Sequence, residues 1–115
     1  MTRSELRNKV IERDTFWCWM LSEDRMHHGV SFRKWLASHP VICVVPVLDA
    51  TNPYKCGGRQ EVDHVKDQPM MGKRAPDDEF HLVAMCQEHN TWHPPRKELR
   101  QAERRYLKHH ATAST

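Results

Sequence analysis

No stretch of this 115-residue chain approaches the roughly 18 consecutive apolar residues that a membrane-spanning helix needs. The best candidate, VICVVPVL over residues 41–48, is short and interrupted by Pro46. The N-terminal sequence MTRSELRNKVIERD is too charged for a secretory signal, so the chain is expected inside the cell, in the cytoplasm, with no membrane partner. Its cysteines include no C-x-x-C pair, which argues against a thioredoxin-like redox role. There are no internal repeats. Apolar residues make up only 38%, so a single domain of this length buries a modest core. A structural metal or a partner is a reasonable supplement.

What the chain does have is four cysteines and nine histidines. In a reducing compartment that combination points to metal ligation before disulfides. The net charge of +3 is mild, but its distribution is uneven. Between Pro94 and His110, six Lys/Arg (residues 96, 97, 100, 104, 105 and 108) stand against Glu98 and Glu103, while Asp77-Asp78-Glu79 form an acidic knot. A basic helix beside an acidic loop suits a nucleic-acid enzyme that also holds a cation, although a solvated charged helix is the commoner fate of such a segment.

Periodicity predicts an α+β fold. Residues 1–40 read as an N-terminal helical region. A helix opens near Ser4 and Glu5, with Leu6, Val10, Phe16 or Trp17, and Met20 at helical spacing. SFRKWLAS follows as a shorter helix capped by Ser31 and stopped at Pro40. Residues 41–110 carry the rest: a β-branched strand VICVV, a loop with Asn52-Pro53 and Gly57-Gly58 as turn signals, and a strand QEVDHV. An irregular connection, a strand HLVAM, a helix start at CQEHNTWH and a basic helix complete it, the last with Leu99, Ala102, Tyr106 and Leu107 on its apolar face. Trp92 is expected in the core, and residues 111–115 form a frayed tail.

Structural zinc takes four Cys or His ligands, commonly in short-range pairs. Cys86 and His89 form a C-x2-H pair at a strand-to-helix turn, and Cys56 precedes two glycines in another tight turn. For the fourth ligand Cys43 is preferred to Cys18, because a cysteine inside the aromatic helix FWCWM is more often a small apolar filler. His93 lies four residues beyond His89 on the same helix face and is a rival ligand, or a phosphate contact.

A second group begins with Asp63-His64 at a strand end. His81 follows 17 residues after His64 and Asn90 nine residues after that. Taken in order, Cys56-Gly57-Gly58, Asp63-His64 and then His81-Leu82-Val83-Ala84-Met85-Cys86-Gln87-Glu88-His89-Asn90 resembles the HNH endonuclease family, the His-Me finger or ββα-metal nucleases. The resemblance covers about residues 43 to 95. The family's central Asn falls on His81, and its closing His falls on Asn90, an HNN-like variant.

The resemblance implies a zinc-stabilised ββα-metal core and metal-assisted hydrolysis of DNA phosphodiesters. His64 would be the general base, with His81 orienting it and Asn90 completing the catalytic set. Mg²⁺ or Mn²⁺ would be held by the oxygens of Asp63 and Asn90, with Zn²⁺ held by Cys43, Cys56, Cys86 and His89. Lys66, Lys73, Arg74, Arg96, Lys97, Arg100 and Arg104 flank the motif and would contact the phosphate backbone, which positions a strand without reading its sequence. The expected activity is nicking of low sequence specificity by a monomer or weak dimer. Such nucleases are often phage-encoded, which would place the chain in a host cytoplasm beside phage or host nucleic-acid-processing proteins. A zinc-stabilised binding module without cutting activity is the alternative.

Overall fold

The structure, a computed structural model, describes residues 1–66 and 75–111. Its helices are α1 (Arg3–Met20), α2 (Glu23–His28), α3 (Phe32–Ala37), the single turn α4 (Val45–Leu48) and α5 (Lys97–Tyr106), and its strands are β1 (Gln60–His64) and β2 (Leu82–Cys86). Wider π-type turns cover Glu88–Trp92 after β2 and Leu107–Ala111 after α5. The result is a small α+β body with a Cα radius of gyration of 13.7 Å, close to the roughly 13 Å typical of a domain this long.

Local chemistry sets the helix ends. Thr2 rather than Ser4 caps α1, its hydroxyl accepting the Glu5 N–H at 3.1 Å. Ser22 and Ser31 do the same for Arg25 and Lys34, so α3 begins where its sequence predicts. Gly29, at φ 61°, ends α2 in the left-handed region, where a side chain would be strained.

The expected strand at residues 41–45 does not form. Its backbone needs are met in another way. The Gln60 carboxamide receives the Ile42 N–H and donates to the Ile42 carbonyl, both at 2.7 Å, reproducing one rung of a ladder with a side chain. Val44 adds a single N–H to the Ala84 carbonyl at 3.0 Å. Pro46 then sits in the first turn of α4, where its missing N–H costs nothing. Trp92 is the other departure: it is 54% exposed, on the outside of its turn.

β1 and β2 pair antiparallel with Gln60 opposite Cys86, Asp63 opposite Val83 and His64 opposite Leu82. Every residue of β2 is buried, because the strand is covered on its faces and also along its free edge. That edge is closed by α1. Arg13 donates to the carbonyls of Leu82 at 2.6 Å and Glu79 at 2.5 Å, and Asp14 accepts the Ala84 N–H at 2.6 Å. An open edge invites pairing with another chain, and here two adjacent side chains take up its polar groups.

Asp14 is fully buried. Burial drives its carboxyl above the ordinary range, opposed by the Arg13 guanidinium at 2.8 Å and the Tyr106 hydroxyl, which donates at 2.5 Å. One carboxylate therefore joins α1, β2 and α5. The apolar face of α5 packs as its spacing predicts, with Leu99, Ala102, Tyr106 and Leu107 all buried. Val10 and Cys18 supply the inner face of α1, and of the alternatives Phe16 or Trp17 it is Trp17 that packs against the core while Phe16 is exposed.

Removing this anchor strands a buried guanidinium, a strand amide and a phenol. Asp14→Ala should lower the unfolding free energy by about 3–5 kcal/mol, read from the urea midpoint. Phe16→Ala, on the exposed face, should stay within about 0.5–1 kcal/mol of the parent.

Candidate metal centre and active site

The end of the hairpin where Gln60 faces Cys86 gathers three segments. Cys43 comes from the segment held by Gln60, Cys56 from the loop before β1, and Cys86 with His89 from the turn after β2. Their ligand atoms all lie within 4.8 Å of one another. The Nδ1 of His89 is 3.1 Å from Cys86 Sγ, 3.6 Å from Cys43 Sγ and 3.7 Å from Cys56 Sγ. With Zn–S near 2.3 Å and Zn–N near 2.0–2.1 Å, a tetrahedron has S···N edges of about 3.5 Å. The donor set therefore fits a metal ion such as zinc.

Secondary contacts prepare the donors. His89 donates Nε2–H to the Tyr54 carbonyl at 2.7 Å, which fixes the tautomer and leaves the Nδ1 lone pair facing the sulfurs. The Cys86 thiol is pushed down to about 4 by a hydrogen bond from Cys43, helped by the backbone amides of Gly57 and His89. Cys56 is lowered by the same neighbour, and Cys43, which supplies the shared proton, is raised. Cys43, Cys86 and His89 are buried while Cys56 is exposed, which gives an ion a way in.

Gly58 makes the turn possible at φ 80°, and a Cβ there would lie 2.6 Å from Gln87 Cβ. Cys18 is not a donor to this cage. Buried in α1, its thiol is directed at the Cys43 carbonyl at 3.8 Å. His93 also stays outside the cage: it pairs with Glu88 at 3.0 Å and stacks on Tyr54 at a centroid distance of 3.6 Å.

The far end of the hairpin carries Asp63 and His64 on opposite faces of β1, Asp63 buried and His64 exposed. The Nε2 of His64 is 3.2 Å from Asp77 Oδ1. With that proton directed at the carboxylate, the Nδ1 lone pair is left for chemistry. His81 does not hold His64 directly. Its ring bonds Asp78 at 2.7 Å, and its carbonyl receives the Val65 N–H at 2.8 Å, one step beyond the ladder. It pins the loop and the strand end, while Asp77 contacts the imidazole.

The Asp63 and Asn90 side chains, expected to share a cation, are each bonded to another residue. The Asp63 carboxylate receives Arg100 at 2.5 Å. Asn90 gives its amide nitrogen to Glu61 at 2.8 Å and to the Val62 carbonyl at 3.4 Å. Glu61 also accepts from the Thr91 hydroxyl at 2.6 Å, and these donors, Thr91 foremost, hold its carboxyl below the ordinary range. The hard oxygens that suit Mg²⁺ or Mn²⁺ are thus on this face but engaged elsewhere. Among the described residues, the Cys43/Cys56/Cys86/His89 group is the one set of three or more His, Cys, Asp or Glu close enough to share an ion.

Arg100, expected at a phosphate backbone, faces inward. Besides Asp63 it reaches the His64 carbonyl at 3.1 Å and Glu103 at 3.2 Å. Glu103 is wholly buried, and burial, then the Asp63 carboxylate beside it, push its carboxyl up to about 10. That shift favours the protonated acid, so Arg100 is shared between two acids of which Glu103 resists ionisation. Arg104 donates to the Lys66 carbonyl at 2.8 Å, Arg96 pairs with Asp49 at 3.8 Å, and Lys97 is exposed. Lys73 and Arg74 lie outside the described residues. Glu61, Asp77 and Glu103 were given no individual site role by the sequence. Of these, only the acidic run at 77–79 gave a signal.

If the cage holds zinc, the purified chain should carry one ion per molecule by elemental analysis. Cys43→Ser and Cys86→Ser should each abolish tight binding and unfold the domain, because ligation and folding are coupled. Cys18→Ser should leave the stoichiometry unchanged. Comparison with models of known families, with curated proteins and with solved structures found no match, so the chemistry of the site rests on its donors and distances.

Proposed function

We propose that the chain is an HNH-type endonuclease that hydrolyses DNA phosphodiesters with little sequence preference, nicking as a monomer. The observation that carries this reading is the state of His64. Its imidazole is half-exposed at the open end of β1, held through Nε2 by Asp77, with Nδ1 available and a buried carboxylate on the adjacent residue. The order strand, strand, helical turn from β1 to Trp92, fastened by a Cys3His cage, supports a ββα-metal core.

In the reaction, His64 Nδ1 takes a proton from water as the water oxygen attacks phosphorus. The P–O3′ bond breaks and the 3′ oxygen is protonated as it leaves. Asp77 keeps the ring in the required tautomer and stabilises the imidazolium that forms. A Mg²⁺ or Mn²⁺ ion at Asp63 would supply charge neutralisation at the leaving oxygen. For Asp63 to offer its oxygens, Arg100 must release it, and Asn90 must turn its carboxamide from Glu61.

One observation favours a second reading, a nucleic-acid-binding module that does not cut. Arg100 already satisfies Asp63, as a purely structural ion pair would.

Supercoiled plasmid with Mg²⁺ or Mn²⁺ separates the two. Metal-dependent nicking is expected, falling by about 10²–10⁴-fold in His64→Ala and by at least about tenfold in Asp77→Asn. Binding of plasmid without nicking at either metal, or full activity in His64→Ala, would overturn the nuclease.

A further inference from the structure

The first two turns of α1 lie against the face of β1 that bears His64, and two adjoining cavities open there. One, of about 360 Å³, is lined by Arg3, Ser4, Leu6, Arg7, Val62, His64, Asp77 and Leu82. The other, of about 460 Å³, is lined by Arg3, His64, Lys66, Ala75 and Asp77. His64, Arg3 and Asp77 stand on the rim of both, and the volumes are in the range of small-ligand sites. We infer that this space is an anion-binding pocket in which Arg3 and Arg7, with Lys66, seat a phosphate group of the substrate strand beside the His64 imidazole.

Charge and availability support it. Among the described residues, Arg3, Arg7 and Lys66 bring three basic side chains to walls that carry one carboxylate, Asp77. The Arg3 side chain is 91% exposed, and its ion pair with Asp77 is long, at 3.8 Å. Such a pair contributes little on its own and yields readily to a competing anion. Arg7 is placed differently. It donates one N–H to the Gln60 carbonyl at 2.8 Å, which fixes the guanidinium on β1 while leaving most of its five donors for a ligand.

Asp77 connects pocket and base. Empty, the pocket leaves Asp77 between Arg3 and His64. A phosphate that takes Arg3 leaves the carboxylate to the imidazole alone, so that occupancy favours the orientation in which Nδ1 is free. α1, which the sequence shows only as a packing element, thereby contributes to the site.

This inference rests on the nuclease reading for its substrate, but a small-anion probe tests it independently. Inorganic phosphate, titrated against chloride at constant pH and ionic strength, should shift the His64 ring resonances of the full chain saturably. Arg3→Glu should weaken that binding by about tenfold or more, as reversal of a nearby charge does, and Arg3→Ala by less. Arg33→Glu, exposed on α3, should bind like the parent. Among the described residues Arg3 pairs with Asp77 and is otherwise exposed, so these variants should keep the parent's circular dichroism. No phosphate-dependent shift in the parent, or equal affinity in Arg3→Glu, would overturn the pocket even if plasmid is nicked. Arg3-dependent phosphate binding without nicking would retain the pocket and remove the nuclease.

Discussion

Everything at the hairpin depends on four donors meeting where its strands end: His89 Nδ1 and the sulfurs of Cys43, Cys56 and Cys86. Two five-residue strands are marginal in water without support. Here one terminus is gathered by the Cys3His cage, which joins residues distant in sequence, and the free edge of β2 is gathered by Arg13 and Asp14. The two devices are complementary. The first constrains loops that have no regular structure of their own, and the second satisfies backbone groups that a third strand would otherwise take. Both are largely buried, and Arg13 and Asp14 offset their desolvation with hydrogen bonds to β2 and to each other.

Between these fixed points the proposed chemistry occupies a strand end whose two faces differ sharply. His64 looks outward to Asp77 and the basic turns of α1. Asp63 looks inward to Arg100 and Glu103, whose carboxyl burial pushes up. The inward face is a closed network of one guanidinium and two acids, in which a second cation has no place until Arg100 moves. Binding energy from a nucleic-acid backbone could supply that movement, since phosphates compete for arginine. The same network, left undisturbed, is a satisfactory piece of structure, and this is why cutting and binding-only readings share one set of coordinates for Asp63.

Much of the architecture was legible in the sequence, for reasons that can be named. β1 and β2 declared themselves by alternation and by β-branched content, α5 by its propensity and apolar spacing, and the cage by the Cys86–His89 interval beside two glycines. The failures share a cause. Residues 41–45 look like a strand, but a side chain, Gln60, took over the pairing, and no local pattern announces that. Asp14 reads as a solvated position in a charged helix until β2 is laid beside it. The motif pairs Asp63 with Asn90 at one cation, and nothing local shows what else holds them. Their actual partners, Arg100 and Glu61, come from elements whose approach only tertiary structure fixes. Trp92, expected in the core, faces outward, and of the alternatives Phe16 or Trp17 it is Trp17 that packs against the core while Phe16 is exposed.

The bond from Gln60 to Ile42 reaches further than its two contacts suggest. Gln60 opens the strand that ends in Asp63-His64, and Ile42 immediately precedes the first sulfur of the cage. Sliding β1 by a single residue along β2 would turn His64 inward and, through the same carboxamide, drag Cys43 away from its companions. Ligation and the proposed base thus share one alignment. A chain that zipped up out of step would scatter the four donors along with the proposed base, so retention of any metal the cage holds would mark the correctly assembled hairpin.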